Sequence, residues 1–166
     1  MTHDFQDGNG PVPARQHTNG GGWVADTAQV ADSAYIGPDA QVYEYAQVYE
    51  YAQVSGYAQV SQDAKVSGYA KVSGNAQVSG KVKVSGYACV SGNAQVSGYA
   101  CVSGDAKVSG YAWVSGDTKV SGYACVSGDT KVGSNNNSTE PTPADEISDL
   151  IARLKTLGAT EVIVKF

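Results

Sequence analysis

Residues 84–105 read VSGYACVSGNAQVSGYACVSGD. Val84, Val90, Val96 and Val102 fall six residues apart, and Val82, Ala88, Ala94 and Ala100 each stand two positions earlier. Working outward, every sixth residue from Val24 to Val132 is Val or Ile, 19 positions without an exception. Val24, Val30, Ile36, Val42 and Val48 open the series, and Val126 and Val132 close it. The position two before each is Ala from Ala28 through Ala34 and Ala40 onward, replaced only by Val82, Thr118 and Thr130. From Ser55 the unit settles into S-G-x-A-x-V, with Gln62 standing where Gly is usual.

A period of six is a multiple of the two-residue strand period, so Ala and Val of each unit point to the same face. Gly and Ser supply the bend after each short strand. One such coil buries almost nothing, but stacked coils bury a continuous Val/Ala column and pair each backbone with the coils above and below. Val24, Val30, Ile36, Val42, Val90, Val132, Ala40 and Ala88 are therefore expected in the core. The predicted class is mainly β, a parallel β-solenoid over residues 23–132.

The run AYIGPDAQV, residues 34–42, has an aliphatic residue, a small one, two free positions, a small one and a free one, with Ile36, Gly37 and Ala40 in the restricted slots. On that motif the array resembles the hexapeptide-repeat, left-handed parallel β-helix family, over about two-thirds of the chain. The resemblance implies a triangular coil of three hexapeptides, left-handed winding and about six coils, a prism roughly 29 Å tall at the usual strand spacing. A second period competes with it. Tyr87, Tyr99, Tyr111 and Tyr123 recur at every second hexapeptide, as a flattened coil of two hexapeptides would require. The cysteines separate the two. A 12-residue coil sets Cys89 and Cys101 on neighbouring rungs within disulfide reach, whereas an 18-residue coil puts them on different faces.

Residues 1–22 contain DGNGPVPARQHTNGGG, residue types that punctuate a chain, and are read as an extended anchoring or capping segment. An uncovered solenoid end is an exposed strand edge and needs a cover, a duty assigned to Trp23 as end cap. Residues 133–143 form a polar linker. In residues 144–166, Ile147, Leu150, Ile151, Leu154 and Leu157 keep helical spacing, with Thr142 as N-cap, Pro143 at N1 and Gly158 as stop. TEVIVKF then alternates Val162, Val164 and Phe166 against Glu161, Ile163 and Lys165, as a strand does. A helix and strand of this size cannot fold alone. They dock on the array, a copy of themselves or a partner, and either cap the rod or form a separate knob.

A net charge of −5 with no uncompensated basic stripe argues against a nucleic-acid partner. The apolar runs are too short to span a membrane. MTHDFQDGNG lacks a basic segment followed by an apolar one, and three cysteines cannot form a complete disulfide framework, so a reducing cytoplasm is the expected site of synthesis. Many hexapeptide-repeat proteins are acyltransferases with a catalytic His in the coils, and others resemble γ-class carbonic anhydrases with three metal-binding His. Here the two histidines, His3 and His17, precede the array, and no insertion interrupts it. The chain is accordingly expected to be non-enzymatic, with no catalytic, cofactor or metal residues. Outward Tyr and Trp113 offer surfaces for glycan stacking. NGGGWVADTAQVADSAYIGPDAQV, residues 19–42, also resembles the opening of hexapeptide-repeat proteins common in bacteriophage genomes. That resemblance implies a virion location and a homotrimeric head-decoration or fibre protein attached to a capsid. The alternatives are a bacterial self-assembling scaffold in the cytoplasm, a glycan-binding module, and an acyltransferase.

Overall fold

The computed structural model describes residues 1–133. The linker from residue 134 and the 144–166 module, with Ile147, Leu150, Ile151, Leu154, Val162, Val164 and Phe166, lie outside the described residues.

The chain opens with β1 (Thr2–His3) and β2 (Val12–Gln16), then enters the repeats with β3 (Trp23–Ala25), β4 (Gln29–Val30) and β5 (Tyr35–Ile36). Each later strand, β6 to β21, is a two-residue piece ending at the next valine of the series, from Gln41–Val42 to Lys131–Val132. The repeat strands pair in parallel at a register of 18: Val24 with Val42, Val66 with Val84, Val114 with Val132. Three sheets result. One runs β1-β2-β3-β6-β9-β12-β15-β18-β21, a second β4-β7-β10-β13-β16-β19, a third β5-β8-β11-β14-β17-β20. Three hexapeptides therefore make one coil, and about six coils make the solenoid. The 12-residue coil is overturned, since Cys89 pairs with Lys71 and Lys107 and has no rung in common with Cys101.

Backbone hydrogen bonds climb the rod with a constant step of 17. Lys71 N–H donates to the Ala88 carbonyl at 2.8 Å, Ser73 to Val90 at 2.9 Å and Asn75 to Gly92 at 2.7 Å. Strand and corner alike are thus satisfied by the next coil, which is why strands of two residues persist. Inside, the Val and Ala columns are sealed: Val42, Val90, Ala40 and Ala88 have no exposed surface, nor does Ile36.

The corners explain the Gly column. Gly74 has φ +70°, and a Cβ there would stand 2.9 Å from the Gly92 carbonyl oxygen of the coil above. Glu44, Glu50 and Gln62 occupy the same corner position with φ of 57–59°. Glu44 offsets part of that cost by accepting the Gln62 backbone N–H at 2.7 Å. The first coil turns differently. Its corner residues Asp26, Asp32 and Pro38 do not share the positive φ, and close turns form from Ala28 to Ala25, Ala34 to Ala31 and Ala40 to Gly37.

The two ends are unlike. At the start, β2 lies antiparallel on β3, Ala14 opposite Ala25 and Gln16 opposite Trp23, and β1 lies antiparallel on β2. The following turn covers β5: Ile36 N–H donates to the Asn19 carbonyl and Gly22 N–H to the Ile36 carbonyl, each at 3.0 Å. Gly20 and Gly22 press against the Ile36 and Gly37 backbone, where a side chain has no room. No described strand lies outside β4, and Val30 is only partly buried. Its column predicts full burial for Val30, but its rung has no described coil beneath it. Trp23 is likewise half-buried on the outer flank of β3; the cover itself is the β1–β2 hairpin with the Asn19–Gly22 turn. At the far end β19 (Lys119–Val120), β20 (Cys125–Val126) and β21 (Lys131–Val132) have no outer neighbour among the described residues.

Candidate functional site

Because each coil is three hexapeptides long, the side chain before each valine joins an outward column on one of three faces. The β3 face carries Trp23, Gln41, Gln59, Gln77 and Gln95, then Trp113 and Lys131, so its middle is a neutral glutamine ladder. The β4 face turns from Gln29 and Gln47 to Lys65, Lys83, Cys101 and Lys119. The β5 face carries Tyr35, Gln53, Lys71, Cys89, Lys107 and Cys125. Each cysteine therefore has lysine as its nearest rung neighbour. Cys89 and Cys125 share a face but sit two rungs apart, roughly 9.6 Å, with Lys107 between them. All three thiols are free.

Some of the exposed aromatics are engaged by their neighbours along the rod, while Tyr45, Tyr57, Tyr111 and Tyr123 stand open to solvent. Tyr69 stacks on Tyr51 at 5.5 Å and on Tyr87 at 5.2 Å, both nearly parallel. Glycan stacking needs a free ring face, and both faces of Tyr69 are used. Lys131 lies over the Trp113 ring at 5.3 Å, and Lys81 over Tyr99 at 5.5 Å. Tyr69, Tyr99 and Trp113 are thus engaged, on one face or both, by the rod's own side chains. Asn75 donates to the Asn93 side chain at 3.1 Å and extends the same self-pairing along another corner.

The densest cluster lies at the closed end. His3 stacks on Trp23 at 4.2 Å, meets Phe5 edge-on at 4.8 Å, and Phe5 stacks on Tyr43 at 5.0 Å. Phe5 and Tyr43 are buried. Sequence reading missed both. The available signal was an isolated Phe in a polar, Gly-rich segment, where an apolar ring has no reason to stand unless it is covered. Beside it opens a cleft of about 410 Å³ lined by Phe5, Asp7, Asn9, Asp26, Tyr43 and Tyr45 among others. Burial raises the Tyr43 phenol above its ordinary value, with a Ser61 contact working the other way. Asp7 is held below the usual carboxylate range by the backbone N–H and side chain of Asn9. His17 is buried separately, its Nδ1 3.3 Å from the Asn19 N–H, so the histidines serve two different parts of the cap. Among the described residues no group of three or more His, Cys, Asp or Glu is placed to hold a metal ion.

No protein-family model matches this chain, and no curated protein matches it in sequence. The fold is that of a parallel β-solenoid with stacked coils. No helix among the described residues is long and apolar enough to cross a membrane.

Proposed function

We propose that this protein is a non-enzymatic structural rod that attaches through a terminal segment to a larger assembly. The observation that carries this reading is the unbroken 18-residue register from Val24 to Val132: no loop leaves the coils to shape a site, and the inward positions are filled by Val and Ala. On the resemblance of residues 19–42 to phage-encoded hexapeptide proteins, the assembly is a bacteriophage virion and the chain a homotrimeric head-decoration or fibre protein, associated through residues 144–166. The partner is then a protein surface, not nucleic acid or membrane, and no cofactor is required. The test is the native mass of the full chain and of a chain ending at Val132. A full-length particle of three times the 17.1 kDa chain mass that becomes monomeric on truncation supports the reading. Two monomers refute the trimer.

A second reading, an end-to-end scaffold, draws on the open edge of β19–β21. Head-to-tail growth needs an equally open start, and there β2 already occupies β3 while the Asn19–Gly22 turn occupies β5. Sedimentation separates the two: a filament former pellets as polymer, and a virion component stays a discrete oligomer.

A further inference from the structure

The cleft beside Phe5 continues into a second one. The first, of about 410 Å³, and the second, of about 300 Å³, share Asp7, Tyr43 and Glu44. The shared residues make the two one groove along the edge between the β3 and β4 faces. Asp26, Glu44 and Gln62 fall at successive turns of that edge, and Gln59 and Gln77 are rung neighbours beside it. From Asp26 to Ser79 the groove crosses four rungs, a length of roughly 14 Å. Its outer wall is no loop of the coils but the N-terminal segment, with Asp7, Asn9 and Pro13. Both volumes fall in the ordinary range of small-molecule sites, about 300–1,000 Å³.

The chemistry of the groove is unlike the rest of the edge. Later turns there carry Gly80, Gly98 and Gly116, all at positive φ. Glu44 and Gln62 hold φ of 57° and 59° at the same position, a conformation that side chains disfavour, and both line the groove. Glu44 gives only Oε2 to the Gln62 N–H. Asn9 fastens both oxygens of Asp7, at 2.9 and 3.1 Å, and holds it below the usual carboxylate range as an ionised acceptor. Tyr43 donates to Gln59 Oε1 at 3.5 Å, which leaves the amide nitrogen as a donor. Tyr45 is 66% exposed, and no ring or cation covers it among the described residues. A basic side chain would use the carboxylates alone and find no use for the amide and hydroxyl donors; Asp26 is in any case paired with Arg15 at 3.2 Å. A sugar hydroxyl both donates and accepts, so it uses carboxylates and amides together, and a pyranose face packs on an open aromatic ring.

We infer that this groove binds a neutral oligosaccharide, with Tyr45 as the stacking platform, Asp7 and Glu44 accepting from hydroxyl groups, and Gln59 donating to them. The inference goes beyond the structural-rod reading. The groove lies wholly within the described residues and needs neither the trimer nor residues 144–166.

The experiment presents the full chain, carrying Cys89→Ser and Cys101→Ser and a fluorophore on the exposed Cys125, to immobilised neutral di- and trisaccharides, with an oligolysine peptide alongside. The expected result is retention on a subset of the sugars and none on the peptide. Tyr45→Ala weakens that binding roughly tenfold. Glu44→Gly weakens it by a similar factor, roughly tenfold, through the lost acceptor. Glu44→Gly installs the residue that later turns use at this position, so its Tm is no lower than that of the parent and the loss is not one of folding. Tyr111→Ala, at an open ring outside the groove, binds as the parent does. Retention on no sugar overturns the inference, as does binding that Tyr45→Ala and Glu44→Gly leave unchanged. Preference for oligolysine overturns it too, because the groove then takes a cation. Native mass is a separate readout: a monomer that binds refutes the trimer and leaves the groove standing, and a trimer that binds no sugar does the reverse.

Discussion

Tyr69 and Tyr87 stack with ring centroids 5.2 Å apart and planes 6° from parallel, although they stand a full coil apart in the chain. The contact records the coil length directly. Tyr51 joins the same stack one coil earlier, its ring 5.5 Å from that of Tyr69.

The corner glycines act through stacking as well as through φ. Gly92 has φ +69° and a Cβ there would lie 2.9 Å from Gly110 N; Gly128 has φ +68° and open space. Gly128→Ala is expected to cost about 1–2 kcal/mol, the left-handed penalty alone. Gly92→Ala is expected to cost about 1–3 kcal/mol more, because the backbone of the next coil must move. Urea unfolding of the two variants measures the difference; equal losses would remove the stacking contribution.

The Val column should be uneven in the same sense. Val84→Ala removes two buried carbons and leaves a cavity, a loss of about 2–3 kcal/mol. Val30→Ala, on the rung with no described coil beneath, is expected to cost less than half of that. Denaturant midpoints of the two variants decide the matter.

Thiol chemistry follows the faces. Cys125 is exposed and Cys89 and Cys101 are half-buried, so a colourimetric disulfide reagent should titrate Cys125 first. Mild oxidation should produce no Cys89–Cys101 disulfide, since the two lie in different sheets. Peptide mapping without reduction checks this, and a Cys89–Cys101 peptide would contradict the register.

Alkaline pH should loosen the closed end first. Tyr43 has its pKa raised above 10.0 by burial, so the folded state holds the phenol proton more tightly than the unfolded chain does. The stabilisation is complete below about pH 10, the unfolded value, and is lost as pH rises through the folded one. Tyr43→Phe should reduce the fall in Tm between about pH 9 and pH 11. A fall identical to wild type would show that Tyr43 does not link the cap to pH.

The Val/Ala core was legible because a six-residue period allows only one inward face, and Val42, Val90, Ala40 and Ala88 occupy it. The coil length was not legible from the valines, which satisfy 12 and 18 equally. The Tyr51, Tyr69 and Tyr87 set at spacing 18 carried the answer beside the stronger 12-residue Tyr alternation. Val30 and Trp23 depended on what lies below the first coil, and no repeat reports on its own neighbour. The cap was hidden for another reason. Phe5 and Tyr43 meet through a polar, glycine-rich segment whose local pattern says only that the chain turns. Glu44 and Glu50 at positive φ were hidden too, since their corner position becomes visible only once Gly56 and its successors define it.

The most direct test of the rod is a distance along its axis. Gln53 and Cys125 lie on one face, joined through Lys71, Cys89 and Lys107. Spin labels at Gln53→Cys and the native Cys125, with Cys89→Ser and Cys101→Ser, report that separation by pulsed electron resonance. Four rungs of an 18-residue coil place the labelled backbone positions about 19 Å apart. A separation of about 29 Å, the six rungs of a 12-residue coil, would contradict the triangular solenoid and everything built on its faces.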